Sequence, residues 1–170
     1  MKRKKSICDN ETKVYNVYKK AQAIGYRTFV GCKELRMIVF PKSCTILTEK
    51  AILDCPQLNT LVFKSQELHG DRASTWDLTW QNVITGCPKL HDIYLFAKDP
   101  EKVDFGIFED LENIGNITPL VPCFCAQKYR NYEVEYTNIY NHYDKKKEKS
   151  WQRFKRIEEF DPVDFFEEDL

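Results

Sequence analysis

The sequence predicts an α/β repeat: a short curved solenoid with a parallel sheet on one face and a C-terminal cap containing short helices. Three observations carry this. Phe29, Cys32, Leu35, Ile38 and Phe40 are followed at a spacing of 23 by Ile52, Cys55, Leu58, Leu61 and Phe63, and a fixed period of about this length marks stacked repeats. Ile84, Cys87, Leu90, Ile93 and Leu95 then restate the pattern a third time. Each copy ends on alternating apolar residues (Ile38 and Phe40, Leu61 and Phe63, Ile93 and Leu95), the signature of a short strand with one buried face.

The chain order follows from this pattern. Residues 1–12 are polar and are expected to be a mobile N-terminus. Residues 13–122 form the solenoid. Its N-terminal cap, 13–27, is expected to be the remains of an earlier repeat, because a stack must close its exposed core end. Copies lie near 28–50, 51–65 and 83–97, with a degenerate one at 103–122. The third copy starts late, and its extra residues are placed in residues 64–80, where Gly, Ser and charges predict an insertion loop. Pro119 and Pro122 place the strand around them at a sheet edge, where a missing donor is tolerated. Residues 123–159 are the C-terminal cap, with short helices at 124–131 and 150–159. In this region Tyr129, Tyr132, Tyr136, Tyr140 and Tyr143 recur at helical spacing. Residues 160–170 are an acidic tail. It is either a short binding peptide or a segment folded back on the basic run 145–156, since opposite charges so close in sequence attract.

Composition narrows the function classes. Hydrophobic residues at 42% and charged residues at 31% are ordinary for a globular domain, and 170 residues suffice for one core. Basic and acidic side chains balance at zero net charge. That argues against nucleic acid as a partner, which needs a basic field. No apolar run approaches the roughly 18–20 residues that span a bilayer, so membrane insertion is not expected. Residues 1–8 begin with charges but lack the apolar segment of a secretory signal. The expectation is a cytoplasmic protein, or one whose leader is not part of this chain.

The seven cysteines are an odd number. Cys32, Cys55 and Cys87 share one repeat column, where a small buried side chain fits. Cys123 and Cys125 are too close for a zinc knuckle. Free thiols, no metal and no cofactor are expected.

The run from Phe29 through Pro41, Ser43, Cys44 and Thr45 resembles the BspA-like leucine-rich repeats, the surface-antigen type with a 23-residue period, in which a Pro follows the strand. Leu120, Val121 and Pro122, then Cys125 and Tyr129, then Trp151, Phe154 and Ile157, resemble the cap that closes such domains. Lys64 and Phe96 stand where the second and third copies should have the Pro. The resemblance implies a curved parallel sheet, no catalytic centre, and adhesion or protein binding at the cell surface or outside the cell.

The candidate binding residues are the ones that do not build the core. Met37, Thr60 and Asp92 are expected to form one outward column on the concave sheet face, and Val39, Val62 and Tyr94 the next. An apolar column on an open face is either packed by something or offered to something. Trp76 and Trp80, four apart in the insertion, suit a sugar ring or a protein hot spot, or else tuck the loop onto the solenoid. The reading is thus a binding module for a protein or glycan partner, of unassigned oligomeric state. Two alternatives stand beside it. One is a structural terminal fragment of a longer repeat protein. The other, more remote, is a cysteine hydrolase using Cys87 with His91, which would need an activated thiolate. His69, Asp71 and Asp77 share the insertion and are a weaker candidate for a cation site.

Overall fold

The computed structural model describes residues 7–9, 11–71, 82–137 and 145–165. It is an α/β structure dominated by parallel sheets, with few helices. The strands are β1 (Val14–Asn16), β2 (Ala23–Ile24), β3 (Phe29–Val30), β4 (Met37–Phe40), β5 (Ile46–Thr48), β6 (Ile52–Leu53), β7 (Thr60–Phe63), β8 (His69–Asp71), β9 (Ile84–Thr85), β10 (Asp92–Leu95) and β11 (Thr118–Pro122). Helix α1 (Ala126–Asn131), β12 (Val134–Thr137), β13 (Lys145–Glu148) and β14 (Glu158–Phe160) follow among the described residues, with single 3-10 turns between some elements and after β14.

Through its first nine strands the chain visits three sheets in the same cyclic order. One is six-stranded, β1-β4-β7-β10-β11-β14; the others are β2-β5-β8 and β3-β6-β9. Register follows the sequence period. Met37 pairs with Thr60 and Phe40 with Phe63, and Thr60 then pairs with Asp92. Phe29, Ile52 and Ile84 align in the same way on the opposite wall. Ile38, Phe40, Leu61, Phe63, Ile93 and Leu95 are buried between the sheets. The Phe40 and Phe63 rings stack at 4.6 Å between centroids, as identical side chains on adjacent parallel strands do when register is exact.

The residue before each column cysteine has a positive φ: Gly31 at 65°, Asp54 at 53° and Gly86 at 67°. The same turn conformation therefore recurs in all three copies. At Gly86 a side chain is also excluded by space, because a Cβ there would collide with Asp54. Asp at the second position is among the few residues that tolerate this conformation.

The N-terminal residues 13–24 supply β1 and β2, which pair with β4 and β5 as an earlier copy would. Of residues 1–12, expected to be mobile, those described (7–9, 11 and 12) are instead tied down. Cys8 is bonded to Cys32, with Cα atoms 4.7 Å apart, and the Thr12 backbone N–H donates to the Asp9 carboxylate at 2.7 Å. The expectation of free thiols throughout is corrected for this pair, which a 24-residue separation in sequence did not reveal.

The insertion is shorter at its start than expected. Lys64, Ser65 and Leu68 are buried, and β8 pairs with β5 in the regular register, His69 opposite Ile46. The extra residues therefore begin after Asp71.

Strand β11 is interior, flanked by β10 and β14, and not an edge. Its prolines are tolerated because of where the absent donors would point. The Thr118 N–H donates toward β10, to His91 O, and the Cys123 N–H donates toward β14, to Phe160 O. Successive N–H groups alternate in direction. Pro119 thus faces the β14 side before pairing begins at Leu120, and Pro122 faces the β10 side after pairing has ended at the same residue.

Of the two expected cap helices, only the first forms, as α1. The second is a 3-10 turn, Ser150–Arg153, followed by β14. The helical tyrosine period stops at Tyr132; Tyr136 lies in the antiparallel hairpin β12-β13, and Tyr140 and Tyr143 lie outside the described residues. Side chains of this region nevertheless join the core. Trp151 is fully buried, with its ring 4.8 Å from Tyr129 and 5.3 Å from Phe105, and the Tyr129 hydroxyl donates to Ala97 O at 2.9 Å.

Trp151→Ala is expected to cost about 3–5 kcal/mol, the usual penalty for truncating a buried large aromatic. Urea denaturation followed by far-UV circular dichroism measures it, and the midpoint should fall without a change in slope.

Candidate functional site

The face of the six-stranded sheet turned away from the core carries the columns expected from the sequence. Met37, Thr60 and Asp92 are in register with one another, as are Val39, Val62 and Tyr94. Leu120 extends the second column through its pairing with Tyr94, and Glu158 through its pairing with Leu120. The structure thus brings six of the eight predicted residues onto one surface. Trp76 and Trp80 lie outside the described residues.

Exposure across this surface is uneven. Met37, Val39, Asp92 and Tyr94 are half-buried, while Thr60 is 7% exposed and Val62 is fully buried. Val62 belongs to a second, smaller apolar cluster with Phe96 and Phe160, against which Met37, Val39, Tyr94, Leu120 and Phe165 pack. The cover is supplied by the end of the chain. The 3-10 turn Pro162–Phe165 follows β14, and the Phe165 ring lies 4.8 Å from Tyr94, 5.7 Å from Phe96 and 5.5 Å from Phe160. Burial, then the carboxylates of Asp92 and Glu158, push the Tyr94 phenol up, so it remains a neutral hydroxyl at physiological pH.

Folding of the tail onto the basic run 145–156 is not what the described residues show. Lys145 pairs with Glu135 at 2.8 Å across the β12-β13 hairpin, and Lys146 pairs with Glu148. Arg156 pairs with Glu158, only two residues away.

Beside the aromatic cluster lies a cleft of about 480 Å³, whose walls include Lys42, Lys64, Lys98, Glu67, Phe96 and Pro162. Sequence reasoning did not assign a site to these residues. Its only signal was that Lys64 and Phe96 stand where the first copy has Pro41. The two positions share a column, since Lys64 N–H donates to Phe40 O and Phe96 N–H to Phe63 O.

The remaining candidates are not assembled into reactive groups. The Cys87 thiol is pushed well up by its interaction with the Cys55 sulfur and by burial, the opposite of what a nucleophile needs. It donates to Thr85 O at 3.5 Å, and His91 turns to Asp92 instead, with Nδ1 2.9 Å from the carboxylate. His69 Nε2 lies 3.7 Å from Glu67, and Asp77 is outside the described residues. Among the described residues no group of three His, Cys, Asp or Glu side chains is placed to hold a metal ion. No described helix is long and apolar enough to cross a membrane.

Comparison with known proteins adds no relative: no family model, no curated protein and no solved structure matches this chain.

The thiols give a direct check on the arrangement. Cys44, Cys55, Cys87 and Cys125 are buried and Cys123 is exposed, so a disulfide-exchange reagent should modify one thiol quickly in the native, unreduced protein. Four more should react only on unfolding. Fast native modification of Cys87 would contradict its placement.

Proposed function

We propose that this chain is a leucine-rich-repeat binding module of the BspA-like kind, non-enzymatic, which recognises a protein or glycan partner through the concave face of its six-stranded sheet. The observation that carries this reading is the pair of registered columns, with Met37, Val39 and Tyr94 half-buried on the face opposite the core. Apolar side chains held in rows by a rigid backbone make a pre-organised contact surface, which lowers the entropic cost of binding. Asp92, beside them, adds a charged acceptor at the rim, where polar groups set specificity rather than affinity. Adhesion at the cell surface is the setting that the resemblance suggests for such a module.

A second reading draws on the other end of the sheet. Among the described residues β1 pairs with β4 alone, and Val14 on it is 51% exposed. An open parallel edge is a template for another strand, as at the terminal unit of a longer repeat protein.

The test is a glycan and matrix-protein array probed with the unmodified protein, then with Met37→Asp/Val39→Asp and with Trp76→Ala/Trp80→Ala, each checked for an unchanged thermal melt. The Met37→Asp/Val39→Asp protein is expected to bind at least tenfold more weakly to any partner found. Unchanged binding by both folded variants would reject the assignment of the face and of the tryptophan pair.

A further inference from the structure

The segment after β14 shows which chemistry the covered part of the face accepts. Four aromatic rings, from Tyr94, Phe96, Phe160 and Phe165, pack edge-to-face or tilted, with centroids 4.8–5.7 Å apart in the five pairs that touch. Three of them are anchored on the strands β10 and β14 or directly after β10. Phe165 comes from beyond the sheet and is seated on the other three.

The sequence around it mixes aromatic and acidic residues: Phe160, Asp161, Asp164 and Phe165. The adjoining cleft is of complementary charge. Lys42, Lys64 and Lys98 line it, opposed by Glu67, which has His69 3.7 Å away. Phe96 and Pro162 belong to its walls, so the aromatic seat and the lysine cleft are continuous.

We propose that this seat and cleft together form a receptor for an acidic peptide with an aromatic anchor, carried by a protein partner, and that Phe165 occupies the anchor's place until the partner displaces it. The inference rests on the binding-module reading and narrows it from protein or glycan to an acidic, aromatic segment of a protein. Two features select that class over a sugar. The seat holds a ring edge-on among three others, a geometry suited to another aromatic ring, and the cations beside it favour carboxylates over neutral hydroxyls. Because Lys42 and Lys98 are not fully enclosed, the charged part of the affinity should weaken with added salt.

A fluorescently labelled synthetic peptide with the sequence of residues 161–170 serves as the probe, with fluorescence anisotropy as the readout on the full chain. The Phe165→Ala protein is expected to bind it at least tenfold more tightly than the unmodified protein, since the competing ring is gone. Lys42→Glu/Lys98→Glu in that background should lose at least tenfold, as should a probe with both phenylalanines replaced by alanine. Thermal melts establish that each variant is folded, and the unmodified protein titrated to high probe concentration provides a reading independent of any substitution.

No binding by either protein would overturn the proposal, as would affinity indifferent to the lysine substitutions. Concentration-dependent dimerisation of Phe165→Ala without peptide capture would also overturn it and assign the seat to a second copy. An array partner that tolerates Lys42→Glu/Lys98→Glu but not Met37→Asp/Val39→Asp would reject this receptor while leaving the wider binding face standing.

Discussion

The constraint on which the rest of the structure depends is the in-register stacking of β4, β7 and β10 in the six-stranded sheet. Because side chains alternate across a strand, a slip of one residue would send every core side chain of a copy to the outer face. Phe40 over Phe63, and Ile38 over Leu61 over Ile93, hold against that slip. A stacked aromatic pair is worth about 0.5–1.5 kcal/mol beyond the burial of its area, and each buried Leu, Ile or Phe adds about 1.5–3 kcal/mol. The same register fixes the outer face. Met37, Thr60 and Asp92 line up because the residues beside them cannot move.

The tail illustrates how magnitude decides between two plausible destinations. Opposite charges near in sequence suggested a fold-back onto residues 145–156. Exposed ion pairs are worth about 0–1 kcal/mol, less than burying one phenylalanine, and Phe160 and Phe165 both find aromatic neighbours on the sheet. The chain takes the apolar destination, and Lys145 and Lys146 of β13 find local carboxylates. One segment therefore both extends the sheet, through β14, and covers part of its outer face.

The repeating part of the fold was legible in the sequence because it is local and periodic. The core columns and the outward residues sit where the spacing put them. What was not legible depended on contacts between segments that do not repeat. The prolines of β11 argued for an edge on composition, yet the direction of each absent N–H, known only once β10 and β14 are in place, makes an interior position tolerable. Tyr129, Tyr132 and Tyr136 share a helical spacing that the chain abandons when β12 turns to pair with β13. Leu68 and His69 looked like part of an insertion because no apolar period marks β8; only its pairing with β5 identifies it. At the candidate site, Phe96 and Lys64 were visible as departures from a pattern, but nothing in the sequence joined them to Phe165, which lies far along the chain.

Amide hydrogen exchange, resolved by residue, tests the registered sheet most directly. The Thr60, Asp92 and Thr118 N–H groups donate to Arg36, Asn59 and His91 carbonyls at 3.0, 3.1 and 2.7 Å, three equivalent rungs of one ladder. They should exchange as a single slow class that opens only with the whole core, with Val121 protected beside them because β14 covers that side. Fast exchange at Val121, with Thr60, Asp92 and Thr118 slow, would return β11 to an edge and contradict the continuous six-stranded sheet on which the outer face is built.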